Sequence, residues 1–577
     1  MVGIPRHEDV NNLLVRKVMV LYTGGTIGMV RNNEGVLAPA KQALELNLRE
    51  LKTLHDVKFA REVLRYEGML VLPNIPDVKR IAYAIQEYDP LLDSSNMSMD
   101  DWSRIAQDIG EVYSAYDGFV VLHGTDTLSY TASALSFMLQ NLGKTVVVTG
   151  SQIPCFETRS DGRDNITGAL IFAGNYTIPE VTVYFDNKLL RGNRTIKVSA
   201  GNLHAFDSPN LAPLAKAGIN IDVDYQNILK PVDLARFVVE PNLCRNVAML
   251  RIFPSIMTDT IRHFLQPPIE GVVLQCYGAG NVPSNRKDIL DAIAEGTRRG
   301  VIILCVTQCS HGGVDAVYET GAALLHAGAI PGSDITPEAA LAKLAHILSL
   351  PLSLEEKRTM MGKSLYGEMT TELKLLDPTT GKVEAVQSAE MEMLTELIQN
   401  MKLSRHELKR MKELLFPCLM CSAAFKGDTA QLEFFLSEGA DISAGDYDLR
   451  TPLHIAASEG NLEMTKFLLK HGALIHKKDR HNDPPLLSAI YSGNIEVINL
   501  LLQVGAHLPL TPVQVGERLT SAAKAGNATL ICSYLAAGAD INQADLAGVT
   551  CAAAAVAAGH DHVLQQIAEK SDKSAIN

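Results

Sequence analysis

Three short clusters of hydroxyl, carboxylate and amine side chains could bind a small ligand and move its protons if the fold brings them together. The first occupies residues 23–28, Thr-Gly-Gly-Thr-Ile-Gly, directly after an apolar run at 18–22. Glycines at the end of a strand allow a sharp turn and a close approach of a ligand. The hydroxyl of Thr26 is then expected to face a cleft. Taken alone, a Gly-Gly-Thr turn is more typical of an ordinary loop. Whether this turn belongs to a ligand site therefore depends on the other clusters.

Two further polar stretches lie at the ends of predicted elements. Residues 123–127, His-Gly-Thr-Asp-Thr, follow an apolar run at 118–122, and residues 93–96, Asp-Ser-Ser-Asn, precede a helix that is predicted to start near Asp100. The carboxylates, hydroxyls and amides of such loops suit the amine and carboxylate of a small ligand. Turn and N-cap chemistry explains most Asp/Ser clusters, and it is the stronger interpretation of 93–96 taken alone.

A lysine completes the set. Lys197 ends the stretch 191–197, Arg-Gly-Asn-Arg-Thr-Ile-Lys. A lone lysine is usually a solvated surface residue. If the fold brings Lys197 to Thr125 and Asp126, an Asp–Lys pair can accept a proton from the threonine hydroxyl.

The elements that must position these clusters alternate between strand and helix from residue 17 to about 370. Six apolar runs predict strands, at 18–22, 118–122, 145–149, 181–185, 271–275 and 301–306. Runs that are apolar on both faces indicate a parallel sheet covered by helices on both sides. Since ligands bind at the carboxyl ends of such strands, the clusters that follow them are expected at one edge.

Composition narrows the function classes. The 577 residues exceed a single core, so two to four domains are expected, and the net charge of −13 argues against nucleic-acid binding. Nine scattered cysteines fit reduced thiols in the cytosol, and the spacing of Cys418 and Cys421 favours core packing over a redox or zinc site. No apolar run reaches the ~18 residues of a membrane helix, and the N-terminus lacks a signal-peptide pattern. The expectation is a soluble intracellular protein.

A 33-residue period marks the C-terminal part of the chain. Residues 451–457, Thr-Pro-Leu-His-Ile-Ala-Ala, form a helix-start motif in which His454 is structural, and the chain resembles ankyrin repeats here. About four or five repeats are expected to stack and share one core. Ankyrin arrays usually bind proteins through a concave face, so an unknown protein partner is expected; the alternative is an array that only stabilises or spaces the assembly. The period appears in two series of glycines: Gly427, Gly460, Gly493, Gly526 and Gly559, and Gly439, Gly472, Gly505 and Gly538.

The motifs at 23–28, 93–95, 123–127 and 191–197 recur in the order found in bacterial-type L-asparaginases. The N-terminal three-fifths of the chain resembles the type I, cytosolic branch most closely. The resemblance implies an α/β fold of two subdomains with a parallel sheet flanked by helices, followed by the all-α ankyrin solenoid. The implied segments are an active-site subdomain at 17–222, a second subdomain at 243–370, a helical connector at 371–415 and ankyrin repeats at 416–570.

The resemblance also implies an amidohydrolase that needs no metal or organic cofactor. Thr26 is then the nucleophile that attacks the side-chain amide carbon of L-asparagine, while the attacking group or water is activated by Thr125, Asp126 and Lys197. A homotetramer or homodimer and a cytoplasmic location are further implications. The substrate's α-carboxylate and α-amine are held by Asp93, Ser94, Ser95, Thr125 and Asp126.

The chain departs from this family in two places. In many relatives a tyrosine follows the first motif on a mobile loop; the corresponding stretch at 33–37 has none, and Tyr318, in the loop after strand 301–306, is the candidate replacement. A bacterial type I relative also has an allosteric asparagine site with a threonine just before the catalytic lysine, and an arginine. Here Ile196 and Gln275 stand in those places, which predicts that this site is lost or rebuilt.

Two other functions compete with asparagine hydrolysis. Vertebrate members with this pair of domains have also been described as lysophospholipases. That chemistry usually uses a serine in Gly-x-Ser-x-Gly, a pentapeptide that is missing here, so lipid hydrolysis or transacylation is expected to be secondary or absent. The third hypothesis is an ankyrin scaffold with an inactive amidase domain. The joint presence of Thr26, Thr125, Asp126 and Lys197 argues against it.

Overall fold

The structure, a computed structural model, describes residues 15–31, 34–64, 68–76, 78–225, 227–231, 234–283, 285–314, 319–370, 405–560 and 563. Within these ranges the chain forms two compact units. The α/β unit comprises Val15–Leu229 and Val238–Lys374. The repeat unit comprises Lys230–Phe237 together with the chain from Leu375 onward. Residues 371–404 of the connector predicted at 371–415 lie outside the described residues, as does Tyr318.

The larger sheet of the α/β unit has nine strands among the described residues. Its five central strands run parallel, as the apolar runs predict. The four strands predicted in this region are confirmed, three of them with the predicted bounds. Across the sheet, the strands are Ile221–Val223, Ala215–Ala217, Lys188–Arg191, Val181–Phe185, Thr145–Thr149, Gly118–Leu122, Val15–Gly24, Arg80–Leu92 and Leu70–Val71.

One central strand had no sequence prediction. Arg80–Leu92 pairs in parallel with Val15–Gly24 over most of its length. Its apolar run at 81–85 is preceded by arginine and followed by glutamine, glutamate and aspartate. Its buried part is short and is centred on Tyr83, whose hydroxyl donates a hydrogen bond to the carbonyl of Leu54 at 2.8 Å. Tertiary pairing, rather than hydrophobic periodicity, makes this segment a strand.

Helices cover this sheet, and short elements carry the loops between strands. The helix Met99–Val112 begins with a capping box, in which the Ser98 amide donates to the Asp101 carboxylate at 2.8 Å. The helices are Ala43–Glu50, Val57–Phe59, Met99–Val112, Leu128–Met138 and Gly162–Asn175, with a π turn at Ala60–Leu64 and 3₁₀ turns at Thr26–Gly28, Ser94–Asn96 and Gly192–Arg194. Two-stranded pairings join Met29–Arg31 to Leu37–Pro39, Leu139–Gln140 to Val238–Val239, and Ile196–Lys197 to Phe206–Asp207.

The second sheet of the α/β unit is parallel and four-stranded within the described residues. Of its two central strands, one ends one residue beyond the prediction at 271–275, and the other is shifted by one residue from the prediction at 301–306. In order, its strands are Val247–Arg251, Gly271–Cys276, Ile302–Thr307 and Ile330–Pro331. Its helices are Thr258–Phe264, Lys287–Arg298, Glu319–His326, Pro337–Ser349 and Leu354–Met361.

The repeat unit is helical, and its helices recur with the predicted 33-residue period. Glycines of both series adopt positive φ, between +67° and +99°, where a β-carbon would be strained. Each such glycine ends a helix turn, which explains why the series is so regular. The helices are Arg405–Lys426, Thr429–Ser437, Pro452–Ser458, Leu462–Lys470, Pro485–Ser492, Ile495–Gln503, Pro512–Lys524, Ala528–Ala536 and Cys551–Ala558.

The two thiols of the Cys418 and Cys421 pair differ in exposure. Cys421 is buried, as predicted, and burial raises its pKa to about 12. Cys418 is exposed, so the prediction of core packing is wrong for this residue. The helix Arg405–Lys426 presents one face to the core and the other to solvent, and residues three apart need not share the buried face.

His454 has the structural role predicted from its motif. Its Nδ1 accepts a hydrogen bond from the Thr451 amide at 3.0 Å, and its Nε2 donates to the Asp483 carbonyl at 3.0 Å. Both bonds use the neutral imidazole, and burial lowers the pKa of His454 from 6.5 to about 4.

Acid is therefore expected to destabilise the repeat unit. Below pH 6.5 the unfolded chain binds a proton at His454, whereas the folded chain binds it only near pH 4. The free energy of unfolding therefore falls as the pH drops from 6.5 to about 4. The contribution of this one group between pH 7 and pH 5 is about 1–2 kcal/mol. Urea unfolding of the parent and of His454→Gln at both pH values measures it. The variant should have a shallower pH dependence, and equal slopes would contradict the assignment.

Candidate active site

The glycine-rich turn at 23–28 leaves the carboxyl end of the strand Val15–Gly24. Gly24 and Gly25 adopt φ values of +131° and +86°, and the chain then forms the 3₁₀ turn Thr26–Gly28. A β-carbon on Gly25 would lie 2.4 Å from the Cα of Gly124. The Thr26 turn and the loop at 123–127 therefore touch backbone to backbone, which only glycine allows.

Gly25→Ala is expected to damage both stability and activity. The added methyl group must displace the backbone at Gly124 and adopt a left-handed conformation, so the free energy of unfolding should fall by about 2–4 kcal/mol. Gly35→Ala is the matched control, because Gly35 has a similar φ of +79° but nothing within 4 Å of its added carbon. Thermal unfolding and turnover of both variants test the contact. Equal losses would show that backbone strain alone matters.

Neighbouring strands hold the turn in place. The Thr23 hydroxyl donates to the Leu122 carbonyl at 3.0 Å, and the amide of Cys155 donates to the Ile27 carbonyl at 3.0 Å. Thr26 stands between these two anchored residues, and it is half-buried. Its hydroxyl is thus carried on a turn that is tied to the strands on either side.

Lys197 meets Thr125 and Asp126, as predicted. Its Nζ donates to Thr125 Oγ1 at 2.9 Å and to Asp126 Oδ1 at 2.7 Å. The Thr125 residue is buried, whereas 64% of the Asp126 side chain is exposed, so the carboxylate faces solvent across the cluster. A hydroxyl whose oxygen accepts a hydrogen bond keeps its own hydrogen for another acceptor. Thr125 is therefore oriented by the lysine to donate.

The loop at 93–96 joins this cluster through Ser94. The Asp126 amide donates to Ser94 Oγ at 3.3 Å, and the Thr127 hydroxyl donates to the Ser94 carbonyl at 2.7 Å. Asp93 and Ser95 are exposed on either side, and the Ser95 amide donates to the Asp93 carboxylate at 3.0 Å. The loop thus contains the cap hydrogen bond between Ser95 and Asp93 that was expected of an ordinary turn. It also contacts the motif at 123–127 through Ser94.

His123 was named in the sequence only as part of its motif, yet it fixes the loop. Nδ1 donates to the Gly124 carbonyl at 2.6 Å, and Nε2 accepts from the Thr131 hydroxyl at 2.8 Å. Burial lowers the pKa of His123 from 6.5 to about 4, so the ring is neutral and this pairing of donor and acceptor is the one it can make. The ring ties the loop that carries Thr125 to the helix Leu128–Met138.

The arginines of the 191–197 stretch were also missed by sequence reasoning. Arg194 makes a bidentate ion pair with Asp334, with Nη to Oδ distances of 2.8 and 2.7 Å. Arg191 pairs with Glu180 at 2.5 Å, and both side chains are buried. Two arginines within the short motif at 191–197 are the sequence signal that could have pointed to these ion pairs, since buried charges need partners.

Within the described residues, the structure brings together Ser94, Thr125, Asp126 and Lys197, and it sets the Thr26 turn against the same loop. No group of three or more His, Cys, Asp or Glu in this part of the chain is placed to hold a metal ion. No helix among the described residues is long and apolar enough to cross a membrane.

Comparison with known families gives matches to both parts of the α/β unit and to the repeats. Residues 17–229 match the Asparaginase, N-terminal family, and residues 246–361 match the Glutaminase/Asparaginase C-terminal domain. Residues 419–511 match Ankyrin repeats in three copies. The α/β unit is therefore that of an amidohydrolase, and the presence of ankyrin repeats is confirmed.

Individual relatives agree with this class. The chain is 48% identical to an L-asparaginase of Dirofilaria immitis over 76% of this chain and 74% of the relative. It is 42% identical to a 60 kDa lysophospholipase of Mus musculus over 77% and 76%, respectively. The crystal structure of L-asparaginase I from Vibrio cholerae matches with a TM-score of 0.54 and 43% identity, covering 62% of this chain and 99% of that one. The protein belongs to the asparaginase family.

Proposed function

We propose that this protein hydrolyses L-asparagine to L-aspartate and ammonia. The observation that carries the proposal is the Lys197 ammonium, which bridges the Thr125 hydroxyl and the Asp126 carboxylate beside the Thr26 turn. This arrangement supplies a hydroxyl nucleophile and a second, separately held proton-transfer group. Family membership supports the same reaction.

In the first half of the reaction, Thr26 Oγ attacks the side-chain amide carbon of asparagine. The amide oxygen gains charge and needs donors, while the C–N bond breaks and the nitrogen leaves as ammonia. The attacking hydroxyl gives up its proton, and the leaving nitrogen takes one. The product of this half is an acyl ester on Thr26.

In the second half, water attacks the ester carbon, aspartate leaves, and the Thr26 hydroxyl is restored. The Thr125, Asp126 and Lys197 cluster positions and activates this water. Because the Thr125 oxygen already accepts from Lys197, its hydroxyl hydrogen is directed elsewhere, which suits donation to the substrate.

Substrate selection falls to the loop at 93–96 and its contact with the second motif. The carboxylates of Asp93 and Asp126 suit the α-amine of an amino acid, and the hydroxyls of Ser94, Ser95 and Thr125 suit its α-carboxylate. Ser94 is positioned for this by its bonds to residues 126 and 127. The proposal needs no metal and no organic cofactor.

The test is ammonia release from L-asparagine by the purified full chain, with L-glutamine and a lysophospholipid as parallel substrates. We expect hydrolysis of asparagine at millimolar concentration. If the folded protein releases no ammonia from asparagine or glutamine, the proposal is overturned. Free fatty acid from the lysolipid, lost in Thr26→Ala, would establish the second candidate, which the name of the mouse relative favours.

Tyr318 belongs to the proposal as the auxiliary group that replaces the missing loop tyrosine. Tyr318→Phe is expected to lower turnover sharply, because the phenol would help activate Thr26. Full turnover in this variant would exclude it. The altered allosteric positions, Ile196 and Gln275, are tested by soaking crystals with asparagine, and a second bound asparagine beside Gln275 would contradict the loss of that site.

The larger organisation is also part of the proposal. The segments are an active-site subdomain at 17–222, a second subdomain at 243–370, a helical connector at 371–415 and ankyrin repeats at 416–570. The protein acts in the cytoplasm as a homotetramer or homodimer, and the repeats bind a protein partner. Sedimentation of the purified full chain measures the oligomeric state.

A further inference from the structure

A short stretch in the middle of the chain packs with the C-terminal repeats. Lys230–Phe237 belongs to the repeat unit, although the chain on both sides of it, up to Leu229 and from Val238, belongs to the α/β unit. Residues 232 and 233 lie outside the described residues. We call Lys230–Phe237 the docked segment.

The docked segment is held by charge at one end and by apolar contact in its middle. Lys230 Nζ lies 2.8 Å from Asp441 Oδ1, and only 23% and 19% of these two side chains are exposed. Leu234 packs against the hydrophobic core of the repeats. A lysine followed four residues later by a leucine thus finds a matching carboxylate and a matching apolar surface.

Two glycines of the 33-residue series make room for the docked segment. A β-carbon on Gly472 would lie 2.4 Å from the Cβ of Lys230, and one on Gly505 would lie 3.2 Å from the Cα of Arg236. Gly538 has the same place in the next repeat, and nothing lies within 4 Å of its added carbon. The segment therefore crosses successive repeats in order and ends before Gly538.

Just before the docked segment, the chain is fastened to a buried ion pair of the α/β unit. The Leu229 amide donates to Glu180 Oε1 at 2.6 Å, and Arg191 Nη2 donates to the Asn227 carbonyl at 2.5 Å. Arg191 Nη1 also donates to the Gly367 carbonyl at 3.4 Å. One arginine thus hydrogen-bonds two of the stretches of chain that precede a passage from the α/β unit into the repeat unit.

The same arginine stands six residues before the catalytic lysine. The Thr195 hydroxyl donates to the Arg191 carbonyl at 2.7 Å, and the 3₁₀ turn Gly192–Arg194 is buried between them. Lys197 follows in a strand of only two residues. Little besides this short, buried stretch separates the Arg191–Glu180 pair from the ammonium that holds Thr125.

We propose that the ankyrin array takes the docked segment of its own chain as an internal ligand, and that this docking keeps the Arg191–Glu180 pair and Lys197 in their working positions. Arg191 is in this account a positioning residue, because it acts through Lys197. The repeats then control turnover without contributing a group to the reaction. The inference rests on the proposed function for its kinetic half only.

Hydrogen exchange on the full-length protein tests the docking. Asp441→Asn keeps the shape of the side chain and its acceptor for the Ser443 amide but removes the charge that meets Lys230. Backbone exchange in residues 230–237 should rise about fivefold, the scale of one partly exposed ion pair. Glu438→Gln is the matched control, since it removes the 2.7 Å ion pair to Lys412 elsewhere in the repeat unit. Exchange that is unchanged in Asp441→Asn would overturn the docking.

The effect of docking on turnover is tested by swapping the charges of Lys230 and Asp441. Asp441→Lys should release the segment and lower kcat for asparagine while KM stays the same, and Lys230→Glu in the same chain should restore both the exchange rate and kcat. A faster exchange with an unaltered kcat would overturn the positioning of Lys197. Because exchange is measured without substrate, a parent that fails to hydrolyse asparagine would refute the proposed function and leave the docking result standing.

Discussion

Thr26→Ala is expected to reduce ammonia release from asparagine by at least about 10⁴-fold, which is the scale for removing a nucleophile from an enzyme that forms a covalent intermediate. The alanine removes the hydroxyl and the γ-methyl group of one half-buried residue, in a turn whose neighbours are anchored through Thr23 and Ile27, so the fold should survive. Stopped assays at millimolar asparagine, together with thermal unfolding, separate lost chemistry from lost structure.

Thr26→Ser is the matched control for this variant. Serine keeps the hydroxyl and lacks only the methyl group, so it should retain measurable turnover. A folded Thr26→Ala protein that releases ammonia at the parental rate would exclude Thr26 as the nucleophile. The chemistry would then have to start at another hydroxyl, and Thr125 is the next candidate.

Lys197→Met should have the second largest effect, a loss of about 10²–10⁴ in kcat, as expected for removal of a group that moves protons. Methionine keeps most of the length of the side chain but cannot donate to Thr125 or Asp126, which are 2.9 and 2.7 Å from the ammonium. KM should change less than kcat, because the lysine does not belong to the substrate-holding loop.

Lys188→Met provides the comparison. Lys188 forms a longer ion pair with Asp207, at 3.9 Å, on the strand Lys188–Arg191, which ends at the first residue of the 191–197 stretch. This variant should retain parental kcat. Equal losses in Lys188→Met and Lys197→Met would attribute the effect to surface charge and contradict the role of Lys197.

The parallel strands were predicted from local patterns in the sequence, whereas the meeting of Thr125, Asp126 and Lys197 was implied by the resemblance to asparaginases. Buried parallel strands are continuous apolar runs, and their carboxyl ends share one edge, so polar residues that follow them are brought together. The strand Arg80–Leu92 was not predicted, because polar side chains interrupt its apolar pattern. Its pairing with Val15–Gly24 makes it a strand.

The supporting contacts of the site could not be predicted in the same way. Arg194 reaches Asp334, 140 positions later, and Arg191 reaches Glu180 and Gly367, so their partners are set by tertiary structure alone. His123 illustrates the same limit: its partner Thr131 lies only eight residues away, but the direction of the bond depends on burial of the ring. Sequence motifs therefore predict the reacting residues more readily than the residues that position them.

The docked segment also sets an order of events during synthesis on the ribosome. Asp441 follows Lys230 by 211 positions, so the α/β unit emerges long before the carboxylate that receives this lysine. At typical translation rates of about 5–20 residues per second, Leu234 waits roughly 10–40 s for its apolar cover. During that interval Leu234 lies uncovered in the nascent chain, between the two parts of the α/β unit. The exposed apolar side chain makes this segment a site at which a chaperone can bind.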